Sequence, residues 1–258
     1  MLALFQFFLK YFIRSRRMFW MLFLGMIPVF TVLLLYGLKL LGLLQDFTIS
    51  SSFPKLALSM YLHFLLPLMA VFIGTSVIID EVESATLPYL LVRPIPRWKI
   101  IFSKTLASEV LLALILTVSL MITYLLMLPE GIQISGITLL FYVLVLVIGS
   151  FTYVGLFSFI GGIVRKPVLT SLLFTFGWEK IVGSLPGSLR YLTVIYYLNS
   201  LFPFKERSTA ASIFSLLRAN SSTITTWKAL FILVFIIAFF HFLTVSLLSW
   251  KEYAHQDE

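Results

Sequence analysis

Long apolar runs dominate this chain and restrict its fold more than any other feature. A helix rises 1.5 Å per residue and needs roughly 20 predominantly apolar residues to cross a bilayer core. Such runs occupy residues 18–44, 56–79, 100–128, 137–164 and 229–250, with a shorter one at 168–182. The expected fold class is therefore an all-α membrane protein with six transmembrane helices, forming a single domain over residues 1–258. Pro28 is expected to kink the first span, and Pro67 and Gly74 lie inside the second.

Composition agrees with lipid as the solvent. The chain is 60% hydrophobic and 12% charged, with a mean hydropathy of +1.04. Soluble domains carry about 25% charged residues, so polar residues here are too few to cover a globule of this size. The net charge of +8 comes from small basic groups between the apolar runs. That placement sets topology in a membrane and builds no continuous basic face, so no nucleic-acid partner is expected. The absence of cysteine excludes disulfides, thiolate metal sites and cysteine nucleophiles.

The basic groups also orient the chain. Lys10, Arg14, Arg16, Arg17, Arg93, Arg97, Lys99, Lys104, Arg165, Lys166 and Lys251 fall on one side of the six-span layout. Only Lys39 and Lys55 fall in the short connections of the other side, and the long segment 183–227 carries little topological weight. The amino and carboxyl termini are accordingly expected in the cytoplasm of a cell whose plasma membrane holds the chain. Leu2 to Phe8 precede the first positive charges, the reverse of a secretory signal, so residues 1–17 are expected in the mature chain. Within them Lys10, Arg14 and Arg17 form one helical stripe, with Phe5, Phe8, Phe12 and Ile13 largely opposite. This pattern suits a helix lying among lipid head groups, or simply an anchor for the first span.

Segment 80–99 departs most from a simple turn. Asp80, Glu81 and Glu83 leave the second span, and Arg93, Arg97, Lys99 and Lys104 lead into the third. Between them Thr86 can cap a short helix, Leu87, Leu90 and Leu91 share one face, and Pro94 stops it. A helix of about two turns is unstable alone in water. It packs on the membrane surface or on another protein, unless the segment is only a charged turn anchoring the third span.

These residues resemble the coupling segment of the ABC transporter type-2 permeases. The matching positions are Glu81, Glu83, Thr86, Leu87, Leu90, Leu91, Arg93, Pro94, Arg97 and Trp98, followed by Lys104; Ala85 and Pro88 replace a common glycine and a common acid. A looser likeness to the permease of nitrous-oxide-reductase maturation runs through Trp178-Glu179, Leu185-Pro186-Gly187, Tyr191-Leu192 and Tyr197-Leu198. The resemblance implies a permease subunit, expected to be an exporter, whose coupling helix docks on a separate ABC ATPase. It implies contacts to that ATPase from Thr86, Leu87, Tyr89, Leu90, Leu91, Arg93 and Arg97, oriented by Glu81 and Glu83. It also implies a second permease copy, as homodimer or heterodimer, since six spans make half of a pathway. An ATP-independent carrier or a membrane assembly factor accounts for the spans but not for segment 80–99.

No G-x-x-x-x-G-K-[ST] loop occurs in the chain. The chain is thus expected to be no enzyme and to hold no cofactor, with ATP and Mg bound by the partner. Gly149, Gly155, Gly161 and Ser158 thin the fourth span, which favours close helix packing over a substrate groove. Glu109 sits inside the third span, either as an intramembrane polar site or as an interfacial residue bonded to a neighbouring helix. His63 and His241 also fall in spans, with Met60 and Met69 near His63. Copper accepts such ligands, but separate helices make them bundle hydrogen-bonders first, and no metal is expected. The parts of a serine or zinc hydrolase are absent.

Overall fold

The computed structural model describes residues 1–43, 53–83, 96–130, 134–184, 188–202 and 224–250. All regular structure among them is helical, the arrangement that satisfies backbone polar groups without water. The elements are α1 (Leu2–Arg14), α2 (Arg16–Gly25), α3 (Ile27–Leu40), α4 (Phe53–Leu56), a π-helical stretch π1 (Ala57–Leu65) and α5 (Leu66–Glu83). There follow α6 (Arg97–Met127), α7 (Gly136–Ile163), α8 (Pro167–Leu173), a second π-helical stretch π2 (Phe174–Glu179), α9 (Lys180–Ser184), α10 (Val194–Leu201) and α11 (Thr226–Trp250). Among the described residues five helices are long and apolar enough to cross a membrane: Arg16–Leu40, Phe53–Ile78, Trp98–Met127, Gly136–Ile163 and Thr226–Leu247. The expected fifth span, 168–182, is helical as α8, π2 and α9 but is not among these five. Glu179 and Lys180 at its far end lower its apolarity.

The first span breaks at Met26, two residues before the proline expected to kink it. A proline ring clashes with the carbonyl four residues earlier, so the bend falls upstream of the ring. Gly25 stands at this break because a Cβ there would lie 2.8 Å from Ile115 Cγ2 on α6. Its carbonyl accepts a hydrogen bond from Ser119 on α6. Tyr61 on π1 lies 2.9 Å from Ser119 Oγ and 2.7 Å from Thr123 Oγ1. Each hydroxyl has one proton, so Thr123 donates to Tyr61, Tyr61 to Ser119, and Ser119 to the carbonyl. The relay joins three spans.

The main seam lies between α5 and α7. Lipid tails are as apolar as leucine, so close packing and hydrogen bonds, not exclusion from water, hold such a seam. A Cβ on Gly74 would sit 2.8 Å from Phe157 Cβ, and Ser158 Oγ donates to the Gly74 carbonyl at 3.2 Å. Gly149 admits Leu66, and Gly161 packs on the Thr75 backbone. The small residues of the fourth span thus serve packing, as their spacing predicts.

Helix α1 lies against α6, burying Phe8 and Phe12 while Lys10 and Arg14 stay exposed; Arg17, expected on the same stripe, is exposed on α2, because the extended Ser15 breaks the helix before it. Ile13 differs from expectation: it is exposed, because it follows Phe12 by 100° around the helix. At the other end of the bundle, α10 packs on α11 and α7 and buries Val194, Tyr197, Leu198 and Leu201.

Candidate functional site

Among the described residues two glutamates are buried in this bundle, and each anchors a polar cluster. Glu109 stands near the middle of α6, where its side chain has no solvent exposure. Its Oε1 lies 2.8 Å from Nε2 of His241 on α11 as a close ion-pair contact, and neither carboxylate oxygen has a well-directed hydrogen bond among the described residues. The other histidine nitrogen, Nδ1, donates to the Ile237 carbonyl one turn back at 2.8 Å. A carbonyl only accepts, so Nδ1 carries a proton. A single proton between Nε2 and Oε1 would give imidazolium with carboxylate or imidazole with carboxylic acid. Gly155 on α7 makes room for the ring, since a Cβ there would lie 3.2 Å from both Cε1 and Nδ1 of His241. Phe102 closes the site with its ring centroid 6.1 Å from the imidazole.

Glu179 ends π2 and is 3% exposed. Its Oε1 accepts the Val194 N–H at 3.0 Å, and its Oε2 accepts the Ile195 N–H at 3.1 Å and the Tyr153 hydroxyl at 2.7 Å. Val194 and Ile195 open α10, and the first N–H groups of any helix lack partners inside it. Thr193 is the capping residue by position, but its hydroxyl donates to the Arg190 carbonyl at 2.7 Å instead. Glu179 supplies the missing cap from the neighbouring helical run, placing negative charge at the positive end of the helix dipole. One turn further along α10, Asn199 Oδ1 accepts from His63 Nε2 at 3.0 Å. His63, Pro67, Tyr153, Thr175, Glu179 and Asn199 line a cavity of ≈ 230 Å³ between these contacts. Both π-helical stretches contribute to its wall, in keeping with the frequency of π-turns at functional sites.

Burial also raises the affinity of the Tyr197 hydroxyl for its proton. That keeps it a donor to the Tyr191 carbonyl at 2.7 Å, which holds the turn before α10. Arg190 stacks over Tyr196 and Tyr191 in the same turn.

The family model described as ABC-2 family transporter protein matches residues 9–252. The chain belongs to that family. A search of curated proteins finds no match. As a member of the ABC-2 family, the chain is a multi-pass membrane component, not itself a nucleotide-binding enzyme.

The ABC-2 chain brings together Glu109 and His241, which the sequence marks as separate candidates. It keeps His63 apart from them, on Asn199. No group of three or more His, Asp or Glu side chains that would hold a metal forms among the described residues. Thr86, Leu87, Tyr89, Leu90, Leu91 and Arg93 lie outside the described residues. Glu81 and Glu83 extend α5 by a further turn instead of leaving it, and Arg97 opens α6 after Pro96. The partnership of Glu179 with Tyr153 was not legible in sequence. The visible signal was an acid at the end of an apolar run, with nothing to indicate which backbone it serves.

Proposed function

We propose that this ABC-2 chain is the membrane-spanning subunit of an exporter, driven by a separate ATPase that binds ATP and Mg. The observation that carries this reading is the family match over residues 9–252. Within the matched stretch, the acid-Thr-Leu-Arg-Pro run of residues 81–94 lies between two spans. In this reading the run is a coupling helix. Thr86, Leu87, Tyr89, Leu90, Leu91, Arg93 and Arg97 meet the ATPase, and Glu81 and Glu83 orient the element. A short element rooted in two spans passes a rigid-body movement of the ATPase directly to them. Helix α5 reaches Glu83 and α6 starts at Arg97, so both roots are continuous with spans.

The run α8–π2–α9 is the short fifth crossing in this layout, which places both termini in the cytoplasm and α10 on the opposite side. Lys10 and Arg14 on α1 and Arg17 on the first turn of α2 then meet anionic head groups. Two copies, or one copy with a close relative, complete the pathway. The sequence runs Trp178-Glu179, Leu185-Pro186-Gly187, Tyr191-Leu192 and Tyr197-Leu198 support kinship with the permease of nitrous-oxide-reductase maturation.

Affinity purification from the native host tests the reading. The unsubstituted chain is expected to retain a soluble ATPase whose hydrolysis rate falls at least tenfold when the chain carries both Leu90→Asp and Arg93→Asp. Retention of no ATPase by the intact chain, or unchanged hydrolysis with the doubly substituted one, overturns it.

A further inference from the structure

We propose that Glu109 and His241 form a proton-binding site that fixes the last span to the bundle and loosens it when the proton count changes. The geometry supplies the argument. His241 Nδ1 is committed as a donor to the Ile237 carbonyl, leaving Nε2 to meet Glu109 Oε1 at 2.8 Å. One proton between Nε2 and Oε1 makes a bond in either tautomeric form. Removing it sets a nitrogen lone pair against a carboxylate. Adding a second sets an imidazolium N–H near a carboxylic acid, whose proton then moves to Oε2, and the ionic attraction is lost. Glu109 Oε2, buried and without a hydrogen-bond partner among the described residues, is the atom that can take that proton.

The helix so held buries few of its residues inside the chain. The most apolar stretch of α11 is 11% buried, against 28% to 56% in the other four. Its contacts with α7 at this level include the histidine ring seated on Gly155, beside Phe240 against Phe159. An interaction at 2.8 Å in the middle of such a helix therefore weighs heavily on where it sits.

Among the described residues no further charged side chain forms an ion pair with Glu109 or His241. Helix α7 carries no charged residue, and its buried Tyr153 is turned to Glu179. Lys104 lies five positions from Glu109, roughly 140° around the helix. The other cations on packed elements are Lys10 and Arg14 on α1, Arg16 and Arg17 on α2, Lys39 on α3, Arg97 and Lys99 at the first turn of α6 and Lys228 at the first turn of α11. On π1, Tyr61 and His63 are engaged with Ser119 and Asn199. Tyr197 on α10 is engaged with Tyr191, and Tyr196 with Arg190. Asp80, Glu81 and Glu83 stand in the last turn of α5, beyond Gly74, the point where that helix crosses α7.

The test needs no transport substrate and stands apart from the export reading. The chain has no cysteine, so nitroxide labels can be placed at Leu114→Cys on α6 and Phe235→Cys on α11, which are 56% and 62% exposed. Pulsed electron-spin distances are then measured on the full chain in lipid nanodiscs at about pH 5, about pH 7 and about pH 9, a range that brackets ordinary histidine and carboxylate titration. The expected result is one dominant distance at neutral pH and a second population at least tenfold larger at an extreme. Glu109→Gln is expected to abolish this response, because the amide, like the protonated acid, lacks the ionic attraction at every pH. His241→Gln is the second variant, with the same expectation, should the first fold poorly. An unchanging distance in the unsubstituted pair, or an equal pH response with the glutamine variants, overturns the proposal.

Discussion

The two buried glutamates have the same charge and nearly the same burial, yet their surroundings differ in kind. Glu179 meets three donors, two of them backbone N–H groups that have no partner inside their own helix. Glu109 meets one titratable ring and keeps an oxygen without a hydrogen bond. A carboxylate surrounded by fixed donors is a structural cap, because each bond to a charged group is strong and backbone donors cannot leave. A carboxylate facing a histidine shares a proton and can alter its charge without breaking the fold. The number and type of donors, not burial, separate the two roles.

The same substitution at both positions sharpens the contrast. Glu179→Gln converts one acceptor into a donor that confronts Val194, Ile195 or Tyr153, and is expected to cost about 3 kcal/mol. Thermal unfolding of the detergent-purified chain reads this, and an unshifted transition would erase the distinction between the two sites. Gly155→Leu drives a side chain into the space of the His241 ring and is expected to cost about 2 kcal/mol. Gly155→Ala should cost less, and equal losses from both would mean that the ring does not sit there. Tyr153→Phe removes one of three donors and leaves the cap on α10, for about 1 kcal/mol. Limited proteolysis should then leave residues 188–202 as protected as before. The smallest effect is expected for Glu109→Gln, about 0.5 kcal/mol or less, since an amide still bonds His241. A loss as large as that of Glu179→Gln would place Glu109 among the structural caps.

Much of the architecture could be read in advance. The apolar runs at 18–44, 56–79, 100–128, 137–164 and 229–250 each correspond to a helix long enough to cross. The segment 168–182 was harder, because it is short and its far end holds Glu179 and Lys180. Glu109 and His241 were each visible as ionisable residues in apolar surroundings, where an unpaired charge is costly. Their pairing was not, since hydropathy gives a helix's existence but not the face it turns or the neighbour it meets. Glu179 was hidden more deeply, because the helix it caps begins fifteen positions later with its own Thr193 in the capping place.

Local composition alone determined that this chain lives in lipid, that it is helical there, and that a charged segment with a short helical pattern joins its second and third spans. Hydrocarbon leaves a backbone few alternatives, so those conclusions need no knowledge of contacts. The tertiary structure decided which glycine admits which side chain, where the first span breaks, and which buried acid is saturated by donors. These depend on helix rotation and crossing, and in lipid many rotations bury equally apolar surface. Only close packing and a few hydrogen bonds select among them.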